Sequence, residues 1–348
     1  MNVIDLFSGC GGLSYGFELA GYTTLLGIDN DKAAINTFEK NHKGSKGMCG
    51  DITQINGDDI KKAVNYKQID LVIGGPPCQG MSLAGPRKLH DARNQLYLSF
   101  IKVVKELEPK AFVIENVPGL VSLFKGAIKD SILKEFEDLG YNVSYQVLNA
   151  ADYGVPQRRR RVFFVGLKGM ENKFVFPEQK ILFESDWITA EQATSDLPLL
   201  EEHLGKEIEE YVCVPLNDYQ KYCRANSPHI YNHLGTNHSE QTIKIISLVP
   251  EGGNFKDLPD EYKGTRKFNV AWTRYHSQKP AATIDTGHRH HFHYKVNRVP
   301  TVRENARFQS FPDDFVFYGN RTEQYRQVGN AVPPLLAKAI AEELLKYI

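Results

Sequence analysis

Short apolar runs alternate with helically spaced stretches through the first 170 residues of the 348-residue chain. NVIDLF (2–7), TTLLGID (23–29), IDLVIGG (69–75), AFVIENV (111–117), VSYQVLN (143–149) and RVFFVGL (161–167) read as strands. Most are apolar on successive positions, the pattern of strands buried on both faces. Segments 31–41, 94–107 and 130–139 carry the amphipathic helical period, and the last is closed by Gly140 where a helix C-cap belongs. Strands of this kind separated by helices predict an α/β fold, a doubly wound and mostly parallel sheet covered on both faces. Ligands of such sheets sit beyond the carboxyl ends of the strands, so the loops after each strand are where chemistry is expected.

From about 170 to 320 the helical period weakens while Pro, Asn, His and Tyr become frequent. This predicts a second, smaller, irregular and β-leaning domain over 201–322. Residues 1–200 and the helical tail 323–348 would form the first domain. No internal repeat, low-complexity tract or apolar run of membrane-spanning length interrupts the chain. The start, MNVIDLF, runs into a strand without a basic leader, so no signal peptide and no preceding regulatory domain are expected. Five cysteines, Cys10, Cys49, Cys78, Cys213 and Cys223, are scattered and never in CxxC spacing, which argues against disulfides and zinc and for a reducing cytoplasm. Net charge is zero, yet unevenly spread: residues 171–210 hold 11 acidic and 3 basic side chains, whereas 263–298 hold 8 Lys/Arg against Asp285 alone. A cationic stretch inside a neutral chain is the footprint of a polyanion-binding face.

Three loops stand out at strand ends. Phe7-Ser8-Gly9-Cys10-Gly11-Gly12 follows the first strand and opens a helix, with Asp29 ending the second strand 20 positions after Gly9 and Asp51 in a third loop. Glycines there admit a ligand to the backbone, a helix N-terminus faces it, and the acids suit a ribose and an adenine amino group. Gly74-Gly75-Pro76-Pro77-Cys78-Gln79-Gly80 delivers a thiol to the mouth of the sheet on a stiff Pro-Pro platform. The polar, glycine-containing stretch 79–95 after it reads as a lid. Glu115-Asn116-Val117 ends the next strand, its carboxyl preceded by three apolar residues and so expected to be partly desolvated and to hold a proton at neutral pH. In Gln157-Arg158-Arg159-Arg160-Arg161, extended backbone places Arg159 and Arg161 on one face and Arg158 and Arg160 on the other.

The set FSGCGG, GDI, GGPPCQG, ENV, QRRRR, RVPTVRENARFQSFPD (298–313) and QVGNAVPP (327–334), in this order, resembles the cytosine-5 DNA methyltransferase family. The resemblance implies the fold of S-adenosylmethionine-dependent methyltransferases and transfer of a methyl group to C5 of a cytosine flipped out of double-stranded DNA. It places Phe7, Gly9, Cys10, Gly11, Gly12, Leu13, Asp29, Asn30, Asp51, Ile52, Leu96, Asn330 and Val332 around S-adenosylmethionine. Asn30 departs from the bulky aromatic often found there, which puts stacking on the adenine in question. Pro77, Cys78, Glu115, Arg159 and Arg161 would surround the base, and no metal is implied. Gln79, Ser82, Lys267, Lys279 and Arg289 are the expected DNA contacts. By resemblance the chain is a bacterial or phage modification enzyme, cytoplasmic and monomeric, with a cognate restriction endonuclease as a possible partner. Relatives on this scaffold that methylate tRNA carry a Cys-Phe-Thr triplet in the target region, whereas the cysteines here sit in VCVP and YCRA. A catalytically inactive DNA-binding homologue is the other alternative, opposed by the intact Cys78, Glu115, Gly9 and Gly11.

Overall fold

A computed structural model describes residues 1–77, 95–201, 203–263, 272–287 and 290–348. The chain divides into two compact units, one of residues 1–149, 160–179 and 332–348, the other of residues 150–159 and 180–331.

The first unit is built on seven strands: β1 (Asn2–Leu6), β2 (Thr23–Asp29), β3 (Lys46–Cys49), β4 (Leu71–Gly74), β5 (Ala111–Asn116), β6 (Tyr141–Asn149) and β7 (Arg160–Lys168). Their order is β3-β2-β1-β4-β5-β7-β6. Neighbours from β3 to β5 pair in parallel, and β7 runs antiparallel to both β5 and β6. The mostly parallel sheet is therefore as the apolar runs predict. Short β3 was not foreseen, because KGMC has neither a long apolar run nor clean alternation. Val3, Ile4, Leu6, Leu71, Val72, Ile73, Phe112 and Val113 are wholly buried.

The helices of this unit are α1 (Gly12–Leu19), α2 (Lys32–Asn41), α3 (Gly57–Ala63), α4 (Gln95–Leu107) and α5 (Ala127–Glu137). Two of the starts have a side-chain cap. The Asp31 carboxylate accepts from the amides of Ala33 and Ala34, and Asn56 and Asp59 form a reciprocal capping box. In α4, Tyr97, Phe100, Val103 and Val104 make one apolar face. Phe136 of α5 stacks on Phe112 of β5 at 3.9 Å, within a core shared with Ile4, Ile28, Val72 and Phe164.

The second unit contains α6 (Ala190–Thr194), α7 (Asp218–Arg224), α8 (Glu240–Leu248), α9 (Asp260–Lys263), α10 (Val302–Phe308) and α11 (Arg321–Asn330). Its strands β8 (Ile208–Glu209), β9 (Ile230–Tyr231), β10 (Thr273–Arg274) and β11 (His291–Phe292) are two residues long. The irregular texture is as expected, but the β lean is not: helices outweigh strands among the described residues. Buried arginines hold the loops instead. Arg274 donates to the carbonyls of Val249, His293, Val296 and Ile246, and Arg303 to those of Tyr231, Pro312 and Phe315. Arg307 is held by Asp196 and Asp313, and Arg298 by Glu304. The motif RVPTVRENARFQSFPD is thus largely this scaffold. The tail helix α12 (Pro334–Leu344) belongs to the first unit.

Candidate active site

At the carboxyl end of β1 the chain turns sharply. Phe7 (φ 60°), Gly9 (φ 54°) and Gly11 (φ 94°) all take the left-handed conformation, and Gly11 caps α1 with no side-chain hydrogen bond to its first amides. A Cβ built on Gly9 would meet nothing within 4 Å, so the loop opens onto free space there. On Gly11 it would collide with the His42 ring. Asp29 accepts from the Gly9 amide at 2.8 Å through one oxygen and from the Asp31 amide at 2.9 Å through the other. Burial pushes its carboxyl above the usual range, opposed by those amides. The Gly50 amide donates to the Asp29 carbonyl, bringing the β3 loop alongside. In that loop Asp51 accepts from the Thr53 amide at 2.9 Å, and Ile52 enters the core that Phe7 and Leu96 also flank. Cys10 and Leu13 are buried, the Cys10 thiol pushed up to about 12 by burial, and Asn30 is exposed. Val332 is buried in the first unit, and Asn330 lies exposed at the end of α11 in the second.

This site rests on residues that the strand-loop pattern does not single out. The Ser14 hydroxyl donates to the buried Asp5 carboxyl at 2.5 Å, tying α1 to β1 below the loop. Burial raises Asp5 to about 7. Buried His42 pairs with Glu18 at 2.9 Å and stacks on Phe38 beneath Gly11. The available signal was local: Asp5 is a charged residue inside an otherwise apolar strand, which requires a partner.

The second cluster lies at the carboxyl ends of β4 and β5. The Asn116 amide donates to the Pro76 carbonyl at 2.9 Å, while its oxygen accepts from the Val117 amide. This bridge fixes the Pro-Pro loop, and Pro77 is exposed. Glu115 pairs with Arg161 of β7 at 2.9 Å, both side chains largely buried at 12% and 14% exposure. The other Glu115 oxygen lies over Gly75, 3.1 Å from where a Cβ would stand. The neighbour of Glu115 is thus a guanidinium across the β5–β7 pairing, invisible in the apolar residues preceding it in sequence.

The arginine run alternates as its extended backbone predicts: Arg159 is buried and Arg161 half-buried, while Arg158 and Arg160 are exposed. In the second unit Arg159 donates to the Gly329 carbonyl at 2.9 Å and to that of Ile284 at 3.4 Å, and Gln157 holds the Ile284 amide and the Gln309 side chain. Arg158 lies over Trp187 and pairs with Glu184.

Cys78, Gln79, Ser82, Lys267 and Arg289 lie outside the described residues. Lys279 is described and exposed. The cationic stretch is weaker at the surface than its formal charge, because Arg274 and Arg298 are interior. His293 is also interior, held to about 4 chiefly by burial. No described helix is long and apolar enough to cross a membrane.

The sequence matches the family model for C-5 cytosine-specific DNA methylases over residues 1–346. The type II methyltransferase M.DdeI of Desulfomicrobium norvegicum is 40% identical, covering 100% of this chain and 89% of its own. M1.HphI of Haemophilus parahaemolyticus is also 40% identical, covering 99% of this chain and 87% of its own. Among solved structures, one described as a DNA modification methyltransferase encoded within an E. coli prophage superposes with a TM-score of 0.82 at 29% identity, covering 100% of this chain and 99% of that one. The Dnmt2 methyltransferase of S. pombe superposes with a TM-score of 0.62 at 15% identity over 99% and 98% of the two chains, a likeness of fold alone. With the glycine loop, the Pro-Pro platform and the Glu115–Arg161 pair at adjoining strand ends, and a family match running through nearly every residue, the chain belongs to the C-5 cytosine-specific DNA methylase family.

Proposed function

We propose that this enzyme methylates C5 of a cytosine flipped out of a specific double-stranded DNA sequence, with Cys78 as nucleophile and S-adenosylmethionine as donor. The observation that carries the reading is the convergence at the ends of β4 and β5. There a loop ending in Pro76-Pro77 is pinned by Asn116 next to a paired Glu115 and Arg161. Cys78 follows Pro77 directly in sequence.

The chemistry calls for these groups. Cytosine C5 is a weak nucleophile until a thiolate adds to C6, which leaves the ring enamine-like with electron density at C5. Cys78 supplies that thiolate. Negative charge then gathers on the N3 and O2 side, where the Arg159 guanidinium and a Glu115 that carries a proton are the residues assigned to stabilise it, with Arg161 beside Glu115. S-adenosylmethionine supplies the methyl group as an electrophile. Once C5 carries the methyl, with S-adenosylhomocysteine left as the by-product, water takes the C5 proton, the C5–C6 double bond re-forms and Cys78 departs as thiolate. C5 and C6 are covered inside a duplex, so the base must leave the stack.

The residues of the first loop fit that donor. Gly9 opens onto free space, the N-cap Gly11 puts no side chain over the start of α1, and Asp29 and Asp51 flank the loop. Together with Phe7, Ile52 and Leu96 they would hold the adenosine and amino-acid parts. We assign the target-reading role to 201–322 and, following the names of the type II relatives, a modification role beside a cognate nuclease.

The test is Cys78→Ala with duplex DNA carrying 5-fluorocytosine at methylated sites. Wild type should form an adduct that survives denaturation, because fluorine cannot leave as a proton, and the variant should bind DNA without adduct or transfer. Wild-type turnover by the variant, or methylation of tRNA and not of DNA, would overturn the proposal.

A further inference from the structure

The turn Leu123–Gly126 closes the connection from β5 to α5, and nothing in the chemistry above uses it. It leaves the same strand that carries Glu115 and Asn116, and α5 returns along the sheet, so the turn stands at the carboxyl end of the sheet. Its backbone is unusual. Phe124 (φ 50°, ψ 46°), Lys125 (φ 59°, ψ 31°) and Gly126 (φ 91°) follow one another in the left-handed region, and the first two carry side chains that the region disfavours. The result of this strain is display. Phe124 is 43% exposed rather than folded into the core that receives Leu123, and Val117 at the start of the same loop is 44% exposed. Lys125 is exposed and has no ion-pair partner among the described residues, unlike Lys129, which binds Asp130 at 2.8 Å. Gly126 caps α5 with no side-chain hydrogen bond, so the uncapped amides of an 11-residue helix lie directly behind the lysine.

An exposed aromatic ring, a free cation and a helix N-terminus on one strained turn match the chemistry of nucleic acid: an apolar face for sugar and base, and positive charge for phosphate. We propose that Leu123–Gly126 is a DNA-contact element, Lys125 meeting a backbone phosphate and Phe124 packing on the sugar and base beside the extruded cytosine. The inference rests on the DNA-methylation reading.

Its test compares Lys125→Ala, Phe124→Ala and Phe124→Gly with wild type on a duplex bearing the methylated site. Lys125→Ala should lower the slope of log affinity against log salt by about one, and Lys125→Arg should restore it. Phe124→Ala should bind the duplex about tenfold more weakly. It should also reduce the fluorescence gain of 2-aminopurine placed at the target. Phe124→Gly separates display from architecture: glycine relieves the strained φ, so its melting temperature should not fall while DNA affinity drops like that of the alanine variant. Cofactor affinity by calorimetry should be unchanged in all four. Wild-type slope and affinity in the variants, with wild type itself methylating DNA, would overturn this inference alone. A wild-type enzyme that neither binds nor methylates DNA would overturn the parent reading instead.

Discussion

The Glu115–Arg161 pair is where individual residues decide most. Removing the guanidinium takes the ion pair from a largely buried carboxylate, and a lost charge-stabilising donor at such a site costs about 100-fold or more in turnover. Arg161→Ala should therefore lower kcat by at least about that factor while cofactor affinity, measured by calorimetry, holds. Unchanged kcat would remove Arg161 from the assigned set. Asp5 makes a second, pH-dependent prediction. Its folded value, about 7, lies above the unfolded carboxyl value of 3.8, so the folded state binds the extra proton between the two. Stability should therefore fall as pH rises from about 4 to 7, by on the order of 1 kcal/mol per pH unit from this group. Asp5→Asn keeps an acceptor for Ser14 and should flatten that slope in denaturant titrations. A parallel pH dependence in variant and wild type would show that Asp5 ionises normally.

Elements depend on close approaches that only small residues allow. A Cβ on Gly16 of α1 would stand 2.5 Å from the Pro334 carbonyl oxygen and 2.3 Å from the Ala337 Cβ of α12. The backbone of α12 cannot yield as a side-chain tip would, so Gly16→Val should cost about 1–3 kcal/mol or more, read as a lowered melting temperature. Wild-type stability would mean that the two helices separate readily. The tail helix was legible from its apolar period, yet its seat on α1 was not, since the glycine that permits it reads in sequence as one more helix residue. Likewise 31–41 and 94–107 were recognisable as helices from spacing alone, whereas α3 was missed because a seven-residue helix offers fewer than two turns of pattern.

For the whole molecule, the assignment of target reading to 201–322 predicts that exchanging this segment for that of a relative with a different site transfers the donor's specificity. Retention of the original site, mapped by sequencing methylated cytosines, would place recognition elsewhere. The charge ledger shows the limit of composition at this scale. Two of the eight cations in 263–298 serve the interior of the second unit, Arg274 on four carbonyls and Arg298 on Glu304, and contribute no free charge to a DNA-facing surface. Lys279 is exposed and remains the phosphate contact to test there.

Six of the seven sheet strands and the order of the strand-end loops are readable from residue pattern alone. Hydrophobic period and turn residues act over a few neighbours, and seven ordered blocks determined the family. The partners those loops meet follow from packing. Arg161 reaches Glu115 because β7 inserts antiparallel beside β5: 46 positions away in the chain, it lies two residues along β7 from Phe163, the register partner of Glu115. Asp5 meets Ser14, and His42 lies under Gly11, because helices fold back over the strand they follow. Alternation along the arginine run shows which side chains share a face, but which carbonyls a buried arginine staples is set by the packed chain and not by its neighbours in sequence.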